Sequence, residues 1–292
     1  MSLDDLGIVG DYDKTTLLID GDLVIFSACC VFNEDDDHSR QMIERAIKSK
    51  IGMLVNSAGA DDYRIFVTTK FNFRDDLVDD YKANRDDVNR PVNLTWAKRW
   101  AADHLEAEYV TKLEADDLLG INQTDNTVIW SIDKDLRQIP GKHLDDESKK
   151  VITITEEGEL IDRGNKTYFT GTLGLYYQML IGDNTDYIVG CGQRLPHVYK
   201  SGAKEGQEYI KRVGIGNKKA LKMLDGKTLE QALEVVIGAY KDEFADEWQE
   251  NLETQANLLF MVRERDGDRI KRWTYDGRDE WFSLEQGVIL HG

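Results

Sequence analysis

Thr15-Thr16-Leu17-Leu18-Ile19 is a short apolar run that stops at Asp20, the pattern of a buried strand in a parallel sheet. Working outward, Arg64-Ile65-Phe66-Val67 reads as a second short strand, Glu108-Tyr109-Val110 as a third, Thr127-Val128-Ile129-Trp130-Ser131 as a fourth and Val151-Ile152-Thr153-Ile154 as another. A helical stretch from about Arg40 to Val55 lies between the first two strands, and a further helix starts near Glu114. Strands alternating with helices indicate an α/β fold with a mainly parallel sheet. From about Thr167 onward the pattern is almost wholly helical, until Arg269 to Phe282 reads as irregular chain or short strands.

The 292 residues can form one large domain or a core with a small appendage. With 41% hydrophobic residues, 32% charged residues and three prolines, the composition is that of an ordinary globular protein and not of a disordered chain. No apolar run reaches the ~18 residues that span a bilayer. Met1 to Lys14 is acidic and lacks the basic start and apolar middle of a signal peptide. Cys29, Cys30 and Cys191 make no ligand pattern; the adjacent pair sits in an apolar stretch and reads as buried free thiols in a reducing cytoplasm.

The net charge of −18 argues against a globally cationic nucleic-acid binder. An enzyme needs only a local basic track, however, and two exist. One runs through Lys82, Arg85, Arg90, Lys98 and Arg99. The other holds Lys200, Lys204, Lys211, Arg212, Lys218, Lys219 and Lys222, with only Glu205 and Glu208 against it. Asp242 to Glu253 reads as an acidic amphipathic helix with a solvated face.

Ligands of open α/β sheets bind beyond the carboxyl ends of the strands, and several acids fall there. Asp20 follows the first strand, Asp133 and Asp135 follow the strand ending at Ser131, Glu114, Asp116 and Asp117 open a helix, and Asp183 and Asp186 sit in a Gly-containing loop. Taken singly, these runs have bland explanations: an N-terminal cap for 114–117, a turn for 133–135, an Asx-type turn for 182–186. Converging on one sheet edge, they would repel one another and require cations. An all-oxygen donor set suits Mg²⁺ or Mn²⁺ rather than zinc, and two ions about 3.5–4 Å apart can activate a water and stabilise a leaving oxygen.

At these residues the sequence resembles the flap-endonuclease/5′-exonuclease family, which includes the N-terminal nuclease domain of family A DNA polymerases and free-standing bacteriophage 5′-exonucleases. The matching runs are Leu17-Leu18-Ile19-Asp20-Gly21; Phe73-Arg74-Asp75-Asp76-Leu77 leading to Tyr81-Lys82-Ala83-Asn84-Arg85; Glu114-Ala115-Asp116-Asp117; Ser131-Ile132-Asp133-Lys134-Asp135; Gly182-Asp183-Asn184-Thr185-Asp186; and Gly214-Ile215-Gly216-Asn217-Lys218-Lys219-Ala220. They follow one another in family order from about residue 16 to 225.

The resemblance implies a PIN-like core over residues 1–186, a helical arch at about 72–103, and a helical region over 187–292 carrying a helix-turn-helix-type DNA clamp. It implies a 5′→3′ exonuclease and 5′-flap endonuclease that hydrolyses DNA by a metal-activated water. One metal group would be Asp20, Glu114, Asp116 and Asp117, the other Asp133, Asp135, Asp183 and Asp186. Lys82 and Arg85 would act at the scissile phosphate. Gly214 and Gly216, with Lys218 and Lys219, would grip duplex DNA, around a monovalent ion such as K⁺. The expected cofactor is Mg²⁺, two or more ions, with Mn²⁺ as a substitute. The expected partner is DNA with 5′ ends or flaps, bound by a monomer with no membrane association. With no polymerase module following, a stand-alone, phage-encoded enzyme of the host cytoplasm is expected.

Two departures stand out. Where family members carry a further Asp after the second strand, this chain reads Val67-Thr68-Thr69-Lys70; Asp22, two positions beyond Asp20, either faces the same side on a continued strand or is a loop acid. The stretch 189–213, longer than usual, is either an added DNA-binding loop or a solvated insertion. Trp96 and Trp100 are spaced to stack bases or to pack. Two other functions remain open. A haloacid-dehalogenase-like phosphatase would use Asp20 as nucleophile and Asp22 as acid/base, and a non-catalytic relative would bind DNA without cutting it.

Overall fold

Leu17 and Ile19 lie on one side of the first strand and Leu18 on the other, and this alternation gives the sheet two apolar faces. The computed structural model describes residues 14–85, 89–164 and 166–291. Its central sheet has the order β2-β1-β3-β4-β5, built from β1 (Thr16–Asp20), β2 (Asp62–Phe66), β3 (Thr127–Trp130), β4 (Gly141–Asp145) and β5 (Lys150–Ile154). The first four run parallel and β5 returns antiparallel as a hairpin with β4. The mainly parallel α/β sheet expected from the sequence is therefore present.

Against the Leu17/Ile19 face pack α1 (Gly21–Val31), α2 (Asp37–Ala58) and α3 (Leu94–Leu105), through Ile25, Ile43, Ile47, Ala97 and Trp100. α2 starts where the Asp36 carboxylate accepts from the Ser39 N–H and stops at Gly59, whose φ of 62° is the left-handed cap that glycine adopts without strain. The opposite face buries Leu18, Phe66 and Ile129 against α4 (Ala115–Ile121) and against residues from the far end of the chain, Met261, Val262, Ile270 and Phe282.

Beyond the sheet come a small hairpin, β6 (Leu160–Asp162) and β7 (Thr167–Phe169), then α5 (Gly171–Ile181), a longer hairpin of β8 (Gly192–Val198) and β9 (Glu208–Gly214), and the helices α6 (Asn217–Leu224), α7 (Leu229–Phe244) and α8 (Trp248–Leu259). α5 to α8 share a third core around Tyr177, Met179, Ala232, Val236 and Tyr240. A four-stranded antiparallel sheet of β10 (Arg265–Asp266), β11 (Arg269–Lys271), β12 (Glu280–Ser283) and β13 (Val288–His291) closes the chain. Residues on both sides of position 186 contribute to the second and third cores. No helix among the described residues is long and apolar enough to cross a membrane.

Several local expectations change. Glu108-Tyr109-Val110 is not a strand: Glu108 alone bridges the end of β2, and the chain then turns through Lys112 at φ 69°. The region after Thr167 is not wholly helical, because β8 and β9 pair across a Gly-containing turn whose lysines hide the period-two pattern. The acidic helix expected over 242–253 is broken at Ala245, where φ is 47° and a short 3-10 turn separates α7 from α8. Cys29 is buried as expected but Cys30 is exposed, since consecutive residues of α1 cannot both face the sheet. Within the expected arch, 94–105 is α3, packed on the core; Phe73–Asp76 and Ala83–Arg85 are 3-10 turns.

Candidate active site

The chain leaves β1 toward β2 on one side and later places β3 on the other, so a crevice opens between the carboxyl ends of β1 and β3. Asp20 closes β1 and Ser131 follows β3. The buried Asp20 carboxylate caps α1, accepting from the Leu23 N–H (3.3 Å), and accepts from the Ser131 hydroxyl (2.9 Å). That hydroxyl accepts from the Asp133 N–H (3.0 Å), and the Asp133 carboxylate accepts from the Asp135 N–H (2.9 Å). One serine thus stitches the acids of two adjacent strand ends together.

The charges are not balanced evenly. Burial pushes Asp20 up to about 7, and repulsion from Asp22 and Asp133 adds to it. Burial and then Asp20, Asp133 and Glu114 raise Asp116 well above the usual carboxylate range. Asp135 is also pushed up to about 7, by burial and then by Asp133. These mutual effects bring Asp20, Asp116, Asp133 and Asp135 into one field of negative charge.

Two lysines hold the rest. Lys134 pairs with Asp135 (3.1 Å) and with Asp183, and despite burial it keeps Asp183 below the ordinary aspartate range, helped by the Thr185 N–H. Lys82, in the left-handed region at φ 56°, pairs with Glu114 and with Asp186 (3.6 Å). Such a conformation costs a non-glycine residue about 1–3 kcal/mol and persists only where its surroundings hold it. Here the Lys82 N–H donates to the Asp186 carbonyl (3.1 Å), and the Asn84 amide donates to the carbonyls of Asn184 and Thr185. Against burial, Lys82 and Arg74 hold Glu114 down at about 2. Arg85 ends the same short turn; its side chain lies outside the described residues.

Asp117 behaves unlike its neighbours. Its fully buried carboxylate takes both Arg74 guanidinium arms at 2.8 Å and accepts from the N–H groups of Glu114 and Val262, each at 3.2 Å. Four donors fill the sites of a carboxylate, so Asp117, expected among the metal ligands, stands in this structure as the anchor of a buried ion pair. Arg74 also donates to the carbonyls of Leu258 and Phe260, tying the start of α4 to the end of α8.

Asp22 occupies neither of the positions open to it in the sequence. The strand ends at Asp20, and Asp22 lies in the first turn of α1, where its carboxylate accepts from the Thr68 N–H (3.2 Å) and pairs with Lys98 (2.6 Å). It therefore meets the very segment where an acid is missing, while the Thr68 hydroxyl accepts from the Ala115 N–H at the start of α4.

Gly214 and Gly216 have different reasons to be glycine. A Cβ on Gly214 would lie 2.5 Å from the Cys191 carbonyl oxygen, so the base of the β8–β9 hairpin excludes one; Gly216 has open space around it and caps α6. Lys218 and Lys219 are exposed on α6. Trp96 and Trp100 stack on each other within the first core, so packing is their role.

Four residues escaped the sequence reading: Arg74, Tyr81, Lys134 and Gln178. Tyr81 donates to Glu114 (3.1 Å) and Gln178 to Asp135 (2.6 Å). Arg74, Tyr81 and Lys134 lie inside the matching runs without a role read for them, and Gln178 carried no local signal.

Metal-binding can be tested against these groups. The donors are all carboxylates, some of them buried, and they repel one another, which is the chemistry of a hard divalent cation. Among the described residues no three acidic, histidine or cysteine side chains close into a ready-made cage; Lys82 and Lys134 stand among them as counterions. The donor chemistry fits, and the two lysines mark where positive charge is already supplied.

No protein-family model matches the chain. Among known proteins it is similar to the exonuclease of Escherichia phage T7, with 29% identity covering 69% of this chain and 76% of that protein.

Proposed function

With the similarity to the exonuclease of Escherichia phage T7 as the premise, we propose that this chain is a metal-dependent nuclease that hydrolyses DNA phosphodiesters 5′→3′ from ends and at 5′ flaps. What supports the reading is that Ser131 links the Asp20 carboxylate at the end of β1 to Asp133 just past β3, and Asp133 in turn accepts from the Asp135 N–H, with Asp116 in the same electrostatic field. Asp20, Glu114 and Asp116 would hold one divalent ion, and Asp133, Asp135, Asp183 and Asp186 the other, as Mg²⁺ or Mn²⁺. When bound, such ions supply Lewis-acid charge neutralisation at the phosphate and make water acidic enough to attack near neutral pH.

The chain's own residues do the rest. Ser131 ties the Asp20 carboxylate to the Asp133 backbone N–H and so holds the two strand ends in register. Gln178 and Lys134 orient Asp135. Lys82, whose strained backbone is held by the Asp186 carbonyl, would stabilise charge developing on the scissile phosphate together with Arg85. The region at about 72–103 would carry the arch over a single strand. Gly216 and the exposed Lys218 and Lys219 at the start of α6 would take duplex phosphates, with K⁺ near Gly214–Gly216, and α6, the turn and α7 would be the clamp. Residues 1–186 would carry the chemistry and 187–292 the grip, in a monomer acting in the cytoplasm.

Cleavage of 5′-labelled duplex, nicked and flap substrates, with and without Mg²⁺, tests the reading. Short 5′-terminal products that require the metal are expected; binding without cutting in both Mg²⁺ and Mn²⁺ would leave only a DNA-binding relative. The phosphatase alternative is disfavoured because Asp22, its acid/base, is engaged by Lys98 and the Thr68 N–H.

A further inference from the structure

The β8–β9 hairpin projects as a two-stranded ribbon whose strands pack chiefly on each other. Its base is rigid. The Arg212 guanidinium donates to the carbonyls of Leu180, Val189 and Ile215, and Gly192 and Gly214 approach so closely that neither admits a Cβ. Arg194 is likewise engaged at the base, donating to the Tyr187 carbonyl.

Beyond the base the two faces differ. Pairing places Leu195 opposite Lys211 and His197 opposite Tyr209 on one face, and Arg194 opposite Arg212 and Pro196 opposite Ile210 on the other. On the first face the Tyr199 and Tyr209 rings stack at 4.2 Å, His197 lies 6.0 Å from Tyr209, and the Lys204 ammonium sits 5.8 Å from the Tyr199 ring. Among the described residues no carboxylate pairs with the exposed Lys200, Lys204 or Lys211. In a chain of net charge −18, the ribbon carries five cations against two acids, Glu205 and Glu208. β9 then runs directly through Gly214 into the α6 turn.

Aromatic faces flanked by lysines suit unpaired bases, which offer π-faces that duplex stacking covers. The two arginines that could read base edges are held by backbone carbonyls, so contact here is independent of sequence. We propose that this ribbon is a separate DNA contact: Tyr199 and Tyr209 stack on bases of a single-stranded tail while Lys204 and Lys211 meet its phosphates. The proposal rests on DNA being the substrate.

The test uses the full chain in EDTA, where no cutting occurs, and a DNA stem with a 5′ single-stranded tail containing 5-bromodeoxyuridine. Irradiation is expected to crosslink the tail to Tyr199 or Tyr209. The Tyr199→Ala/Tyr209→Ala double variant should weaken binding of tailed DNA about tenfold or more, with blunt duplex little affected. Lys204→Ala and Lys211→Ala, at exposed positions that leave the melting curve unchanged, should each lower the slope of log affinity against log salt by about 0.7. Crosslinks found only elsewhere, with unchanged affinity in these variants, would overturn the proposal. So would equal losses on blunt duplex, or a change in the protein's solution mass with no change in DNA affinity, which would make the ribbon a surface between copies. A wild-type chain that binds tailed DNA through the ribbon but never cuts in Mg²⁺ or Mn²⁺ would sink the nuclease reading and leave this one standing.

Discussion

Asp116 and Asp117 are consecutive residues in the first turn of α4, yet the regions they face are opposites. Behind the helix, Asp117 is sealed from water and matched by Arg74 and two backbone N–H groups. In front, Asp116 meets Asp20, Asp133 and Glu114, all of its own sign, and every one raises its pKa. A carboxylate whose partners are fixed within the chain stabilises the fold. One surrounded by like charges destabilises it until a cation arrives. The difference separates the acids that build this protein from those available to a ligand.

The strongest way to break the comparison is at Asp116. Asp116→Asn should remove cleavage of 5′-labelled duplex in Mg²⁺, by on the order of 10²–10³-fold or more, while circular dichroism shows an intact fold; near-normal turnover would place Asp116 outside the chemistry. Asp135→Asn and Asp183→Asn should do the same.

On the other side, Arg74→Ala leaves a buried, uncompensated carboxylate and should cost about 3–5 kcal/mol, read as a large drop in the denaturation midpoint with or without metal. A variant as stable as the wild type would mean Asp117 finds other support.

Lys82 lies between the two regions. Lys82→Ala should reduce kcat by about 10²-fold with little change in KM. A change confined to KM would make it a binding residue only.

The smallest effect concerns pH. Asp20 and Asp135, raised to about 7, bind a proton more tightly folded than unfolded. Through them the metal-free protein should lose stability as pH climbs from about 4 through 7. Glu114, held at about 2, acts in the other direction, contributing stability above its ordinary range that is lost as pH falls toward 2. Asp20→Asn should therefore raise the metal-free melting temperature at pH 8 by roughly 2–4 °C, and Mg²⁺ should stabilise the wild type more than the variant. Equal stabilisation of both by Mg²⁺ would detach Asp20 from metal binding.

The strands that position the site were legible because their signal is local. Thr16–Asp20 and Thr127–Trp130 are apolar runs closed by polar residues, and any fold burying both faces of a sheet needs that pattern. The β8–β9 ribbon was not legible. Its alternation is interrupted by lysines and proline, and its strands gain stability from pairing across nine intervening residues, 199–207. Asp22 was misplaced for a related reason: nothing in Ile19-Asp20-Gly21-Asp22 signals that the strand gives way to a helix at Gly21, a position where a Cβ would strike the Phe66 carbonyl.

The sequence by itself determined the α/β alternation and the placing of acids just beyond strand ends, because side-chain periodicity and strand length are properties of neighbouring residues. Only the tertiary structure decided what each acid becomes. Arg74 reaches Asp117 and Lys134 reaches Asp183 across more than forty positions of chain, and a carboxylate's ionisation is set by whatever charge and solvent surround it in space.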